Sequence, residues 1–488
     1  MKFVRQTASV CPVCLKSIPA SLIEKENKIF MAKKCEEHGE FEDLYYGDAS
    51  LYHSAMKYYH TGSGVTNPIN EFHGNCPHDC GICDNHKSSP IIGIIDVTNR
   101  CNLKCPVCFA NCDASELKYE PSIDEIFGMM DTLRNANPPC PIILFSGGEP
   151  TVREDLPEIC KVAHEKGFSY IIIATNGKRL ADEPDYHGKL SDAYVDLIYL
   201  QFDGVTPEPY EKLRGLNLLP AKIKALENIK NSNKYPSVVL VPTLVKNIND
   251  HQIGDIIRFA MKNKGVVKGV LFQPISFTGR VVDDKLQNER ITNADGIIAI
   301  EKSFEGVIDR NDFAPISWLS SVTDMLRISN RIPDSPELST YPVCMALAYL
   351  LVFGDKITPI SRVLNLEELN HFIKSISAAS KTEISQKLLM ALPKIIRAGS
   401  IKLTPKIIGI IKDIILSGTL ETATKFQDEN VMFIGFDHPM DALNYDTQKT
   451  ERCFIQYATP DGRLIPFCSY NIFHREKVES NYYNSLTK

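Results

Sequence analysis

Fifteen cysteines stand in 488 residues, and ten of them fall before residue 113. The stretch "CPHDCGIC" spaces Cys76, Cys80 and Cys83 as Cys-x3-Cys-x2-Cys. "CNLKCPVCFANC" repeats that spacing at Cys101, Cys105 and Cys108, with Cys112 four residues on. Such tight grouping favours metal or iron–sulfur ligation over long-range cross-links. Three thiolates in one short loop can each hold one iron of a cubic [4Fe–4S] cluster. The fourth iron is then free to chelate a small molecule through an amine and a carboxylate. A structural zinc, or a closed cluster with Cys112 as fourth ligand, would use the same residues. Cys11-x2-Cys14 and Cys35-x2-His38 are two further pairs, and they suit one mononuclear metal in a zinc-ribbon or rubredoxin-like site. Their spacing does not separate zinc from iron. Cys140 and Cys160 stand alone and read as buried free thiols.

The triplet at 101–108 needs a scaffold, and the sequence around it supplies one. "IIGIIDVT" (91–98), "IILF" (142–145), "YIIIAT" (170–175), "LIYLQF" (197–202), "VVLVPT" (238–243) and "VKGVLFQP" (267–274) are β-branched runs of buried-strand character. Helix-like stretches lie between them, near 122–135, 155–166, 219–231 and 250–263. Ser122 is placed as an N-cap ahead of acidic first-turn residues. Strand–helix alternation predicts right-handed βαβ units, and six of them make an α/β TIM-like barrel, either a partial (β/α)6 barrel or a full one. Its active site should lie at the C-terminal strand ends. The chain then divides into a mononuclear-metal domain (1–60), an auxiliary-cluster segment (61–90), the barrel (91–285) and a C-terminal domain (286–488), α-rich and carrying an auxiliary cluster.

Net charge is -6, which excludes a nucleic-acid binder by composition. No apolar run approaches the ~20 residues of a membrane span. The N-terminus lacks a signal-peptide core, so a cytoplasmic location is expected.

The order of motifs resembles the radical S-adenosylmethionine (SAM) superfamily. The matching residues are Cys101, Cys105 and Cys108, the aromatic Phe109, and "SGGEP" (146–150) after the second strand. The resemblance implies a [4Fe–4S] cluster that binds SAM and reductively cleaves it to methionine and a 5′-deoxyadenosyl radical. Gly147 and Gly148 would let the backbone approach a ligand. Glu149 would accept a hydrogen bond from the methionine amino group. Asn176 would contact the SAM carboxylate or ribose, and Asp203 the ribose hydroxyls. Thr243 ends the fifth strand. Ordinary turn chemistry is the alternative for Asn176, Asp203 and Thr243. Cys76, Cys80 and Cys83 lack a preceding strand and a following aromatic, so they read as an auxiliary cluster. Cys112 is the first choice for its fourth ligand and His86 the second; a zinc site is the alternative. Cys344, Cys453 and Cys468 are candidates for a further auxiliary cluster, with three unrelated buried thiols as the alternative.

The whole chain resembles one branch of that superfamily, through "CPVC…CEEHG", "CPHDCGIC", "DVTNRCNLKCPVCFA" and "PDGRLIPFCSYN" in order. The branch contains the archaeal tetraether lipid synthases and proteins described as pterin methyltransferases. The first group implies carbon–carbon bond formation between terminal methyl carbons of two phytanyl chains of archaeol-type phospholipids. Each bond would need two hydrogen abstractions and two SAM. Residues 381–412 carry seven Lys/Arg and one Glu, with apolar Ile384, Leu388, Leu392, Ile395 and Ile396 at near-helical spacing. A basic amphipathic segment suits anionic headgroups and peripheral contact with the inner membrane face. A charged face on ordinary core helices is the alternative, and Pro393, Gly399 and Pro405 predict short pieces. The second group implies a radical SAM methyltransferase acting on a pterin precursor. An iron–sulfur electron carrier is the non-enzymatic alternative. Any radical SAM chemistry calls for an electron donor such as a ferredoxin.

Overall fold

A computed structural model describes residues 1–486 except 63, 66, 71–73, 113–117, 233–235, 283–285, 287, 288, 321–335, 354, 355, 377–380 and 398–430. The chain opens with an antiparallel ribbon of four strands in sequential order: β1 (Lys2–Val10), β2 (Ser17–Lys25), β3 (Lys28–Cys35) and β4 (Gly39–Tyr46). Its inner face buries Leu22, Ile29 and Met31 with Tyr341 and Val343 from the far end of the chain. Arg290 ties the ribbon down. Its guanidinium reaches Asp43 at 2.6 Å and Asp441 at 2.9 Å, and Asp441 is buried.

The six expected strands form one parallel run in chain order: β5 (Ile92–Thr98), β6 (Ile142–Gly147), β7 (Tyr170–Thr175), β8 (Leu197–Gln201), β9 (Ser237–Val241) and β10 (Val267–Pro274). Neighbours are in parallel register throughout, for example Ile92 with Ile142 and Ile142 with Tyr170. Side chains alternate between two cores, as the pleat requires. Ile95, Val97, Phe145 and Ile173 face outward. They pack on α1 (Ile123–Arg134) and α2 (Leu156–Glu165) through Ile126, Met130 and Ile159. Ile94, Leu144, Ile172, Val239 and Leu271 face inward. Each such buried side chain is worth ~1.5–3 kcal/mol in transfer free energy. This two-sided burial is why the strands read as unbroken apolar runs. Ser122 caps α1 as predicted: its hydroxyl accepts from Glu125 N, and Glu125 accepts from Ser122 N at 2.7 Å. The remaining barrel helices are α3 (Lys178–Asp182), α4 (Tyr186–Asp192), α5 (Pro207–Arg214), α6 (Leu219–Lys230) and α7 (Ile253–Lys262).

The C-terminal segment joins the same sheet by hydrogen bonds. Strand β11 (Met345–Phe353) runs antiparallel to β12 (Val431–Asp437), and β12 runs parallel to β10. At the other end, β13 (Ile455–Ala458) runs parallel to β5 and antiparallel to β14 (Leu464–Pro466). The two ends of the strand row face one another through an apolar seam of Met345, Leu347, Phe454 and Ile455. The final helix α8 (Arg475–Leu486) and the turn before it supply Tyr470, Val478 and Tyr482 to the barrel's inner core.

The basic segment is only partly among the described residues. Lys381–Ile395 forms one helix with Pro393 inside it, where the sequence predicts shorter pieces; Pro393 lies in its last turn, where little of the helix remains to be broken. Ile395 is buried against Leu364, Leu369 and Phe372, the packing of an ordinary core helix. Residues 398–412 lie outside the described ones. No helix among the described residues is long and apolar enough to cross a membrane.

Candidate active site and metal centres

The ribbon's four candidate ligands meet. The ligand atoms of Cys11, Cys14, Cys35 and His38 all lie within 4.8 Å of one another. Cys14 Sγ is 3.9 Å from Cys35 Sγ, and His38 Nδ1 is 3.5 Å from Cys35 Sγ and 3.7 Å from Cys11 Sγ. A tetrahedral ion with metal–sulfur bonds of ~2.3 Å spaces its sulfurs by about 3.8 Å. The set therefore fits one ion. Two turns build it: the loop from β1 to β2, where Leu15 N bonds Cys11 O, and the loop from β3 to β4, where Gly39 takes a φ of +82°.

Cys101, Cys105 and Cys108 sit in the loop after β5, at the C-terminal end of the barrel, with Cys101 and Cys105 against Leu103, Tyr210 and Leu218. No three of these thiols fall within the 4.8 Å that encloses the ribbon's ligand atoms. A cluster with a separate iron for each thiolate does not need them closer.

The "GGEP" turn is built against this loop. Gly148 N donates to Thr98 O at 2.7 Å, and Glu149 N to Arg100 O at 2.9 Å. A methyl at Gly147 would strike the Thr98 carbonyl, and one at Gly148 the Arg100 carbonyl. Gly147 also has a φ of +127°. The close approach that demands glycine is thus to the stem of the cysteine loop. Glu149 is 1 % exposed. One of its oxygens accepts from Thr151 N, Thr151 Oγ1 and Thr175 Oγ1, the other from Asn176 N at 2.7 Å. It locks strand β7 to the turn. Asn176 in turn donates to Asn102 Oδ1 at 2.7 Å, inside the cysteine loop.

Asp203 is fully buried and already paired. Arg214 grips it in bidentate fashion, Nε to Oδ2 at 2.7 Å and Nη2 to Oδ1 at 2.8 Å. Gln201 and Thr243 N donate to the same carboxylate. Both oxygens accept hydrogen bonds, and the carboxylate holds Arg214 in place. Arg214 then donates to Thr243 Oγ1 at 2.8 Å and to Val107 O at 3.1 Å, and lies beside the Cys105 thiol. Arg280 clamps the loop from the other side, through Cys105 O at 2.9 Å and Cys112 O at 3.2 Å.

Phe109 is 39 % exposed, with its ring 6.0 Å from that of Phe467. Arg475 lies 4.9 Å over Tyr470 and 6.0 Å from the Phe109 ring, and donates to Asp96 at 2.6 Å. Lys222 on α6 is fully buried and donates to Asn176 O and to Gln201 Oε1. Burial pulls its ammonium down to about 7. Sequence reading missed Arg214, Arg280, Arg475 and Lys222. Nothing local marks them: Arg214, in the last turn of α5, reads as a dipole partner on the surface, and the partners of the others are distant in sequence.

Cys76, Cys80 and Cys83 come together beside Ser469, whose hydroxyl lies 3.4 Å from Cys80 Sγ. The two candidates for their fourth ligand have other neighbours. Cys112 Sγ lies beside Cys108 and 3.7 Å from Gly147 O, because the loop folds back on itself there. His86 is buried with Nε2 at 2.8 Å from Cys453 O. Cys140 and Cys160 are fully buried in the outer core, as free thiols should be. Cys344, Cys453 and Cys468 line one cavity.

A parallel partial barrel with a cysteine triplet after its first strand and a Gly-Gly-Glu turn after its second defines a radical SAM protein. Residues 95–260 match the Radical SAM superfamily, and residues 3–47 match the HMPTM N-terminal zinc ribbon domain. The chain belongs to the radical SAM superfamily and, within it, to the family of a Methanocaldococcus jannaschii protein named 7,8-dihydro-6-hydroxymethylpterin dimethyltransferase. Identity to that protein is 43% over 491 residues, covering 98% of this chain and 95% of the relative. The Fe-coproporphyrin III synthase of Methanosarcina barkeri is 30% identical over 44% of this chain and 51% of its own. Streptococcus suis SuiB bound to S-adenosylmethionine aligns with a TM-score of 0.37 at 18% identity, over 45% of this chain and 48% of that one. This is a radical SAM enzyme, with a [4Fe–4S] cluster and SAM as cofactors and cysteines for additional metal sites.

The expectation of lipid coupling does not stand. The end-to-end relative is named a pterin dimethyltransferase. The basic segment lends no separate support, since Ile395 packs in a protein core.

Proposed function

We propose that this chain is a radical SAM methyltransferase whose acceptor is a reduced pterin. The observation that supports it is the 43% identity, over both whole chains, to a relative named for that reaction. In this reading Cys101, Cys105 and Cys108 hold the SAM-binding cluster. Phe109, Asn176 and Thr243 face SAM, while Glu149 and Asp203 position Asn176 and Arg214. When bound and reduced by an electron donor, the cluster and SAM supply a radical able to remove hydrogen from an unactivated carbon.

The chain's own residues do the rest. Arg214 and Arg280 place positive charge and N–H donors against the cysteine loop, which steadies its thiolates and fixes its geometry. Asp203 keeps Arg214 in place. Phe109, whose ring is partly exposed, offers a flat face to a planar bicyclic ring, backed by Phe467, Tyr457 and Tyr470 around Arg475. Tyr470, Val478 and Tyr482 fill the barrel and exclude water. The ribbon, the 61–90 segment and residues 286–488 supply the other metal sites and the closing elements.

The test is anoxic incubation of the reconstituted, reduced enzyme with methyl-deuterated SAM and 7,8-dihydro-6-hydroxymethylpterin. The expected products are pterin carrying one or two deuterated methyl groups, S-adenosylhomocysteine, and 5′-deoxyadenosine with methionine. Unchanged pterin beside abundant deoxyadenosine would contradict the proposal.

A further inference from the structure

Four side chains far apart in sequence meet at the seam of the barrel. Cys344 immediately precedes β11, His438 immediately follows β12, Cys453 lies two residues before β13, and Cys468 lies two residues after β14. Each flanks one of the four strands that form the two ends of the strand row. All four residues line one cavity, together with Lys449 and Asp437. Backbone bonds fix the arrangement. His438 N donates to Cys344 O at 2.9 Å, and Met440 N donates to Cys468 Sγ at 3.3 Å.

His438 is the anomaly. It is 3 % exposed, and neither Nδ1 nor Nε2 has a hydrogen-bond partner. Leaving a buried polar group unmade costs ~1–3 kcal/mol. An imidazole in that state beside three thiols is the chemistry of a metal site. We propose that His438 is the fourth ligand of an auxiliary iron–sulfur cluster whose other ligands are Cys344, Cys453 and Cys468.

Among the described residues, only the ribbon set brings three ligand atoms within 4.8 Å of one another. The seam set is not gathered that closely, and a cluster with a separate iron for each ligand does not need it to be. Three thiolates and a neutral imidazole carry one negative charge fewer than four thiolates, which raises the potential of a cluster. The Lys449 ammonium at the same cavity acts in the same direction; its Nζ donates to His438 O at 3.4 Å. The centre also has a mechanical consequence. Its ligands come from both ends of the strand row, so the cluster would bolt the barrel across a seam that, among the described residues, no β-ladder closes.

The test uses the full chain, reconstituted anoxically with iron and sulfide and measured without SAM. Iron and acid-labile sulfide per chain are compared between wild type and the C344A/C453A/C468A variant; the expected loss is about four irons. A second measurement guards against misfolding. Pulsed EPR of the reduced wild type should show imidazole ¹⁴N coupling to one cluster. In His438→Cys the iron count should hold and that coupling should vanish. Unchanged iron in the triple variant, or ¹⁴N coupling absent from wild type, or coupling that survives in H438C, would overturn the assignment.

Discussion

Arg214 and Asp203 form a bidentate ion pair beneath the cysteine loop, at 2.7 and 2.8 Å, with Asp203 fully buried and Arg214 9 % exposed. Neither charge is stable there alone. Removing one partner of a buried pair costs about 3–5 kcal/mol, because the other is left uncompensated. Asp203→Asn should therefore lower the denaturant midpoint and reduce the iron held by the 101–108 loop. Urea unfolding and iron per chain measure both. A variant with unaltered stability would show that the pair is dispensable.

Gly147 and Gly148 are fixed by contact. A Cβ at either position collides with backbone carbonyls of the cysteine loop, and those carbonyls cannot rotate away. Gly148→Ala should push the loop out of place and cut SAM cleavage by roughly 10²-fold, the penalty of a misplacement near 1 Å. Deoxyadenosine formation under single-turnover conditions reads the effect.

Lys222 makes stability depend on pH. Its folded pKa lies near 7, well below that of an exposed lysine at about 10.4. Between those values the unfolded chain binds more protons, so stability rises with pH through that window. Below about pH 7 the full penalty of burying the group is felt. Lys222→Met should flatten the rise, and unfolding curves taken from pH 7 to pH 10 would reveal it.

The ribbon and the seam share an anchor. Arg290 joins Asp43 of β4 to Asp441, three residues beyond His438. Lys33 on β3 also donates to Ala442 O at 2.7 Å. Removing the ribbon's metal with Cys14→Ser should expose residues 1–46 to early proteolysis while the iron at Cys101, Cys105 and Cys108 stays bound. Metal analysis paired with limited proteolysis checks this outcome.

Much of this was legible in the sequence because the physics there is local. The six parallel strands are buried on both faces, so each reads as a β-branched run, and Ser122 announces its helix through a capping box. Cysteine and histidine spacing reads directly for Cys11, Cys14, Cys35 and His38, since one ion gathers two short turns. What escaped depends on long-range contact. Strands β11 and β12 pair across a gap of more than seventy residues, and nothing in either run names its partner. The partner that holds Asp203, Arg214, lies eleven residues on, and nothing in either residue type announces the pair. Gly147 and Gly148 look ligand-facing until the cysteine loop is found against them. His438 follows an unremarkable strand, and its significance lies in two nitrogens left without partners.

The most direct test of the central claim is hydrogen transfer from the acceptor. Reduced enzyme with unlabelled SAM and a carbon-deuterated 7,8-dihydro-6-hydroxymethylpterin should yield 5′-deoxyadenosine carrying deuterium, formed faster when the pterin is present. Deoxyadenosine free of deuterium, produced at the same rate with or without the pterin, would contradict the account.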